Sequence, residues 1–462
     1  MDAKRQKTQQ LRLSFFAEGK GETRKTAERV EASKARNGTE SSAGTERLME
    51  EVVERGNLLD ALKRVKRNRG SPGIDGMTVH ELDAHLEIYW PDIRKQLTEG
   101  TYRPQPVRRV EIPKPNGGGV RKLGIPSVLD RLVQQMLLQV LQKRLDPTFS
   151  EHSYGFRPGR SAHQAIAKSQ GYIKEGRQWV VDMDLEKFFD RVNHDRLMGL
   201  LSKRVEDKQV LKLVRAFLNA GVLEDGLVSP TKEGTPQGGP LSPLLSNIVL
   251  DELDRELERR GHVFVRYADD CNIYVRSERA GRRVMKGVTR FLEHKLKLKV
   301  NRHKSAVDTA NRRKFLGFSF QVSGDFKRLI APQAITRFKT EVRRLTRRKG
   351  GASIERTIQR VNVYLRGWID YFGLCETPSV LRRLDAWIRR RLRCIIWRQW
   401  KTAKNRYKEL RRRDVNRDLA ERTAKSSKGP WRISCSMATN VALSIGHFDD
   451  LGLLRLGPRT PA

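Results

Sequence analysis

Two adjacent aspartates, Asp269 and Asp270, interrupt an apolar, β-prone run in the middle of the chain, FVRYADDCNIYV at residues 264–275. Burying an unpaired carboxylate costs free energy, and two neighbouring carboxylates repel each other. A short hairpin turn accommodates aspartate readily, so turn formation alone explains the pair about as well as a functional site does. The two readings differ in whether other acidic residues meet this turn.

A second pair of aspartates ends another apolar run. The segment VVDMDLEKFFD places Asp182 and Asp184 where a predicted strand gives way to a helical segment. If this strand is a neighbour of the hairpin above, then Asp184, Asp269 and Asp270 converge. Carboxylate oxygens are the ligands that Mg²⁺ prefers, and paired Mg²⁺ ions serve phosphoryl transfer. The pattern therefore predicts a site for two Mg²⁺ ions.

The chain is strongly basic. Its 462 residues include 93 Lys and Arg against 54 Asp and Glu, which gives a formal net charge of +39. A polyanionic partner is the natural explanation, because neutralising phosphates releases counterions and drives binding. The alternative is a highly charged surface without such a partner. No apolar stretch approaches the ~18 residues of a membrane-spanning helix, and the N-terminus lacks the apolar core of a signal peptide. We therefore expect a cytoplasmic protein associated with nucleic acid.

The periodicity of apolar residues changes along the chain and predicts four segments. They are a basic and mostly disordered arm over 1–45, a mixed α and β region over 46–330, an arginine-rich helical region over 331–412 and a basic C-terminal segment over 413–462 that contacts nucleic acid.

Within the mixed region, 107–125 predicts a hairpin around a Pro-Asn-Gly turn. A helix is predicted with Ser242 as its N-cap, Pro243 at its first position and Gly261 as its terminator.

The order of the motifs resembles that of the successive sequence blocks in bacterial group II intron reverse transcriptases. The matching segments are IPKPNGGGVRKLGIPSVLDRLVQQ (112–135), SYGFRPGRSAHQAI (153–166), DLEKFFD (184–190), GTPQGGPLSPLLSNIVLDELD (234–254), YADD (267–270), KLKLKVNRHKSAV (295–307) and KFLGFSF (314–320). The resemblance implies an α+β right-hand polymerase, with fingers and an antiparallel palm sheet followed by an all-α thumb or maturase domain. Because no His-Asn-His endonuclease with cysteine pairs is seen, the chain is most similar to the class C lineage, whose members are thought to prime from existing DNA ends.

This resemblance implies an RNA-directed DNA polymerase encoded by a group II intron. It would copy intron RNA into DNA for retrotransposition and would bind that RNA as a maturase to assist splicing. Its expected partners are intron RNA, a DNA primer or target, and dNTPs, with no membrane and no required protein partner. Two alternatives stay open: another bacterial reverse transcriptase, of retron, CRISPR-associated or defence type, and a splicing maturase without polymerase activity.

The resemblance also assigns nucleotide-binding roles. Lys114 and Arg121 would clamp the triphosphate, Phe189 would act as a steric gate against a 2′-hydroxyl, Gln237 would contact template or nucleotide, and Lys304 would donate a proton to the departing pyrophosphate. An ordinary core phenylalanine and solvated basic side chains are the alternatives for these positions.

Further residues are expected to contact nucleic acid. Arginine suits phosphate oxygens, and tryptophan suits base stacking. The candidates are Arg157 and Arg160 for template phosphates and Arg389, Arg390, Arg391 and Trp397 for structured RNA. A helix with a solvated charged face is the alternative for the last four.

Overall fold

The computed structural model describes residues 47–113, 119–224, 227–229, 233–234, 238–347 and 352–457. The arm predicted over 1–45, Lys114 and Gln237 lie outside these residues. The helices are α1 (Leu48–Val52), α2 (Arg55–Asn68), α3 (Leu82–Glu99), α4 (Val128–Leu145), α5 (Ala162–Lys174), α6 (His194–Ser202), α7 (Lys208–Asn219), α8 (Ser242–Arg259), α9 (Glu278–Arg290), α10 (Pro332–Leu345), α11 (Ile354–Phe372), α12 (Pro378–Gln399), α13 (Ala403–Arg411), α14 (Arg417–Ala424), α15 (Pro430–Ile433), α16 (Met437–Ala442) and α17 (Ile445–Asp450).

The strands form three sheets in the described part of the chain. They are β1 (Val107–Pro113), β2 (Val120–Ile125), β3 (Trp179–Met183), β4 (Val222–Glu224), β5 (Leu227–Ser229), β6 (Val263–Tyr267), β7 (Asp270–Val275), β8 (Ala306–Thr309), β9 (Phe318–Phe320) and β10 (Arg328–Ile330). The sheet orders are β2-β1-β4-β5, β10-β9 and β6-β7-β3-β8. In the last sheet, which we call the palm sheet, all three pairings are antiparallel.

The palm sheet separates two hydrophobic cores, because alternate residues of a strand point to opposite faces. The cross-strand pair Val181 and Ile273 belongs to the first core, together with α1–α4 and α6–α9. The neighbouring pair Val180 and Tyr274 belongs to the second core, together with α5 and α10–α17. The mixed α+β fold with an antiparallel palm sheet and a helical C-terminal region is thus confirmed.

The predicted local elements are mostly where the sequence placed them. The hairpin over 107–125 is present as antiparallel β1 and β2, and Gly261, at φ +68°, follows the end of α8. The N-cap of α8 was predicted wrongly: Leu241 occupies it, and Ser242 already lies in the first turn with Pro243. Among the described helices, none is long and apolar enough to cross a bilayer.

The C-terminal segment packs into the second core. Val415, Ile433, Leu443 and Phe448 are each at most 4% exposed and join the same cluster as α11 and α12. Packing is therefore continuous across the predicted boundary between residues 412 and 413.

We expect Phe448→Ala to lower the free energy of unfolding by about 3–5 kcal/mol, because it leaves a cavity in this core. Met437→Ala, on the exposed face of α16 at 71% exposure, should change it by no more than about 0.5 kcal/mol. Urea unfolding of both variants measures the difference. Equal effects would mean that the C-terminal segment does not share the core.

Candidate active site and nucleic-acid surface

The palm sheet brings the predicted acidic residues to one end. In the β3–β7 pairing, Asp182 lies opposite Asn272 and Met183 opposite Cys271. Continuing this register by one residue sets Asp184 opposite Asp270, the first residue of β7. Asp269 occupies the turn between β6 and β7. The convergence expected from the sequence is therefore present in the backbone.

The carboxylates at this end of the sheet repel one another. Partial burial disfavours the charged form of Asp270 and is the largest of the causes that raise its pKa to about 7. The charges of Asp269, Asp182 and Asp184 are the further causes of this rise. The side chain of Asp270 still reaches solvent, so it sits in an open cleft rather than in the core. Burial, and then the charge of Asp184, also raise the pKa of Asp269, while Arg121 acts in the opposite direction.

Asp184 is held from behind by the loop that precedes β8. Its backbone N–H donates to Ser305 Oγ at 2.9 Å, and its carbonyl accepts from the N–H of Asn301 at 2.8 Å. Lys304 Nζ lies 3.7 Å from Asp184 Oδ2 and its side chain is mostly exposed. The structure thus places Lys304 beside a predicted catalytic carboxylate.

Asp182 has a separate partner. Arg313 Nε donates to Asp182 Oδ2 at 3.1 Å, and its Nη2 both pairs with the same oxygen and donates to the Lys304 carbonyl. Asp182 is therefore ion-paired with Arg313. The carboxylate of Asp184 has a longer contact, with Lys304. Within the residues that the structure describes, no group of three or more His, Cys, Asp or Glu is gathered closely enough to hold a metal ion as it stands.

Phe189 lies one short turn beyond Asp184, in a 3₁₀ segment at Phe188–Asp190. It is half-buried, and its ring meets that of Phe188 edge-on with centroids 5.3 Å apart. Gly234, at φ +96°, packs on the same segment: an added Cβ would lie 2.9 Å from the Phe189 carbonyl oxygen. Phe189 is thus partly a core residue and partly available to the cleft.

Arg157 was predicted to contact template phosphates, and the structure contradicts this. The side chain is 8% exposed, and all five of its N–H donors are used by Asp146 and by the carbonyls of Asp146, Ser150 and Ser153. Arg160 differs, because it is only half-buried and lies over the ring of Tyr154 at 5.5 Å.

The four residues of α12 that were predicted to contact RNA differ in their exposure. Trp397 is 1% exposed, so the prediction that it stacks on a base is wrong. Arg389 is buried and ion-paired with Asp385 on the same helix, so it is not a surface contact either. Arg390 is half-buried and stacks on the exposed Trp431 at 3.9 Å.

Arg391 belongs to a basic cluster that we call the Trp387 cluster. Lys339, Arg343 and Arg391 surround the half-buried ring of Trp387, with their cationic groups 5.6–5.9 Å from its centroid. Arg391 Nε also donates to Thr346 Oγ1 at 2.8 Å. In this cluster, three positive side chains lie next to one aromatic ring.

Sequence reasoning missed the residue that holds the turn between β6 and β7, which carries Asp269. Arg266, 0% exposed, is ion-paired with the buried Asp254 of α8. Its Nη1 donates to the Ala268 carbonyl at 2.9 Å and to Asn247 Oδ1 at 3.0 Å, and its Nη2 donates to Ser153 Oγ at 2.8 Å. An arginine in an otherwise apolar strand, with acidic residues on the apolar face of the preceding helix, was the available signal.

Two models of protein families match the chain. "Reverse transcriptase (RNA-dependent DNA polymerase)" matches residues 112–320, and "Group II intron, maturase-specific domain" matches residues 335–413. The first range contains the palm sheet and Asp182, Asp184, Asp269 and Asp270. The second contains the Trp387 cluster.

Individual proteins are also similar to this chain. "Protein YkfC" of Escherichia coli (strain K12) is 33% identical over 314 residues, which cover 59% of this chain and 82% of that protein. "Group II intron-encoded protein LtrA" of Lactococcus lactis subsp. cremoris is 39% identical over 195 residues, 42% of this chain and 32% of that one. "Putative COX1/OXI3 intron 1 protein" of Saccharomyces cerevisiae is 33% identical over 220 residues, 46% of this chain and 26% of that one. The chain thus matches a third or less of the length of the last two.

The raised pKa of Asp270 predicts a pH dependence of stability in metal-free protein. Between its unfolded pKa near 3.8 and its folded pKa of about 7, the folded state binds more protons than the unfolded state, so stability falls as pH rises through this window. In EDTA, Asp270→Asn should therefore raise the melting temperature clearly at pH 8 and much less at pH 5. Asp325→Asn, at an exposed acid between β9 and β10, is the control. A benefit equal at both pH values would contradict the assignment.

Arg266→Gln should lower the free energy of unfolding by about 3–5 kcal/mol, because it leaves Asp254 buried and unpaired. Arg282→Gln breaks an exposed pair with Glu278 and should cost no more than about 1 kcal/mol. Denaturant unfolding of both variants provides the comparison. Similar small costs would show that the buried pair does not hold the turn.

Proposed function

Because the chain belongs to the family of group II intron-encoded reverse transcriptases and maturases, we propose that it copies intron RNA into DNA for retrotransposition and assists splicing of the same RNA. The polymerase proposal rests mainly on the register of the palm sheet. This register sets Asp184 opposite Asp270, and Asp269 lies in the adjoining turn. The class C assignment and the mode of priming stay predictions.

The donor chemistry of the acidic cleft suits divalent cations, and we assign Asp184, Asp269 and Asp270 as the ligands that two Mg²⁺ ions would draw together. The donors are hard carboxylate oxygens, which Mg²⁺ prefers. Burial, together with the charges of the neighbouring carboxylates, raises the pKa values of Asp269 and Asp270, and cations would compensate this concentration of negative charge. When bound, such ions activate a primer 3′-hydroxyl and neutralise charge on the triphosphate.

The surrounding residues would bind and orient the incoming dNTP. Arg121 already acts electrostatically on Asp269, which supports a position from which it can reach the triphosphate. Phe189, partly open to the cleft, would exclude a 2′-hydroxyl and so select deoxynucleotides. Lys304, 3.7 Å from Asp184, would donate a proton to the departing pyrophosphate. Lys114 and Gln237 stay predictions outside the described residues.

The helical region would bind the intron RNA. The Trp387 cluster supports this, since cations around an aromatic ring serve phosphate contact and base stacking together. The match to the maturase-specific domain over 335–413 favours an intron-type enzyme over the retron, CRISPR-associated or defence types. Retention of all three carboxylates favours a working polymerase over a maturase that only binds RNA.

Primer extension on an RNA template, with a DNA primer, dNTPs and Mg²⁺, tests the polymerase proposal. We expect Mg²⁺-dependent extension by the wild-type protein. The Asp269→Asn, Asp270→Asn double variant should lose about 10³-fold or more, because several kcal/mol of transition-state stabilisation disappear. Asp325→Asn is the matched control. Tight RNA binding without extension by any primer would contradict the proposal and favour an RNA-binding maturase.

A further inference from the structure

Phe156 is an exposed aromatic residue at the edge of the catalytic turn. It is 47% exposed, and among the described residues it belongs to neither hydrophobic core and pairs with no other ring. Its backbone has φ +61°, in the left-handed region that bulky residues avoid. Folding therefore gains little from a phenylalanine here.

The residues on both sides of Phe156 are fixed. Gly155 lies against the turn so closely that an added Cβ would be 2.2 Å from the Ala268 nitrogen. Its carbonyl accepts from Asn247 Nδ2 at 3.0 Å. On the other side, Arg157 is buried with every donor used. Phe156 is thus held one residue away from the turn that carries Asp269, with its ring turned to solvent.

The left-handed conformation costs roughly 1–3 kcal/mol for a residue other than glycine. Glycine at this position would remove both that cost and the exposed apolar surface. Strain of this kind persists where the surroundings impose it and commonly marks a binding site. A strained and exposed ring beside the turn that carries Asp269 is therefore a candidate for ligand contact.

An open pocket of about 310 Å³ lies on the other side of Gln142, a residue that contacts the backbone of Phe156. Its lining includes Arg64, Lys143, Gln142 and Pro158, and Gln142 Nε2 donates to the Phe156 carbonyl at 3.4 Å. Asp146 also lines it, but that carboxylate is paired with Arg157. Arg64 and Lys143 are exposed and supply positive charge. An exposed ring whose backbone contacts a lining residue of a pocket with two basic side chains suits a nucleobase and a nearby phosphate of the same strand.

We propose that Phe156 stacks on a nucleobase of the primer–template beside the active site and that the Arg64 and Lys143 cavity receives a neighbouring phosphate of the same strand. This rests on the polymerase function proposed above. In the GFRPGR segment, the proposal assigns the nucleic-acid contact to Phe156 in place of Arg157, whose donors are all used within the protein. Stacking tolerates any base, so the contact would serve copying without sequence preference.

Binding of a primer–template that carries 2-aminopurine at single positions tests the stacking, because this base changes its fluorescence when it stacks. One position near the 3′ end of the primer and the template positions facing it should respond in the wild-type protein. The strand that responds identifies the source of the stacked base. The response should be lost in Phe156→Leu and kept in Phe156→Tyr. A response kept in Phe156→Leu, or a response in neither strand, would overturn the proposal.

Affinity and stability separate this role from a structural one. Phe156→Gly should weaken primer–template binding about 5- to 150-fold while its melting temperature stays equal or rises, because the strain is released. Ile88→Ala, at another exposed apolar residue (67% exposed), is the matched control and should bind as the wild type does. Unchanged affinity, or a fall in affinity accompanied by a lower melting temperature, would contradict stacking.

The cavity has its own test. The Arg64→Gln, Lys143→Gln double variant should reduce the slope of log affinity against log salt by about 1 for each phosphate that the protein no longer neutralises. An unchanged slope would overturn the phosphate assignment. Both readouts concern binding and not synthesis, so they remain informative if primer extension fails, and the two proposals can fail independently.

Discussion

The geometry of the acidic cleft depends on one buried guanidinium. Arg266 joins α8, through Asp254 and Asn247, to the 153–155 segment and to the carbonyl of Ala268. Ala268 itself has φ +57°, so the turn that presents Asp269 is a strained one. The pair with Asp254 is fully buried, and such pairs are retained less for stability than for the arrangement they specify. The adjacent aspartates can stand at the end of the sheet because this network fixes the backbone beneath them.

Around this fixed turn, two forces oppose each other. The sheet register brings the carboxylates together, and burial, followed by the charges of the neighbouring carboxylates, raises the pKa of Asp270 to about 7. Positive groups approach from several sides: Arg313 engages Asp182, Lys304 lies beside Asp184, and Arg121 acts on Asp269. Lys314 also acts on Asp270, but it does not offset the effects of burial and of the neighbouring carboxylates. A cleft of this kind is poised for cations and for a triphosphate, which together balance the charge.

The sequence predicted the strands and their acidic ends well, because period-two alternation and the Asp-Asp turn are local signals. It predicted less well which basic and aromatic residues face solvent. Arg157, Arg389 and Trp397 looked like surface contacts, yet each is buried, since composition does not reveal which face of a helix or loop meets the core. Arginine also serves as packing material here: Arg406 and Arg413 lie over the buried rings of Trp397 and Trp400. Part of the net charge of +39 is therefore structural. The tertiary contacts of Arg266 and Gly155 join segments that are distant in the sequence, and no local pattern encodes them.

The most direct test of the central claim is a count of divalent ions in the cleft. Electron paramagnetic resonance can measure Mn²⁺ bound by the protein with a primer–template and a non-hydrolysable nucleotide. The same nucleic acid is used with the wild-type protein and with the Asp269→Asn, Asp270→Asn double variant, so ions held by the nucleic acid cancel in the comparison. We predict that the wild-type complex binds two more Mn²⁺ ions than the variant complex. Equal numbers would contradict the claim that these aspartates are placed together to bind cations.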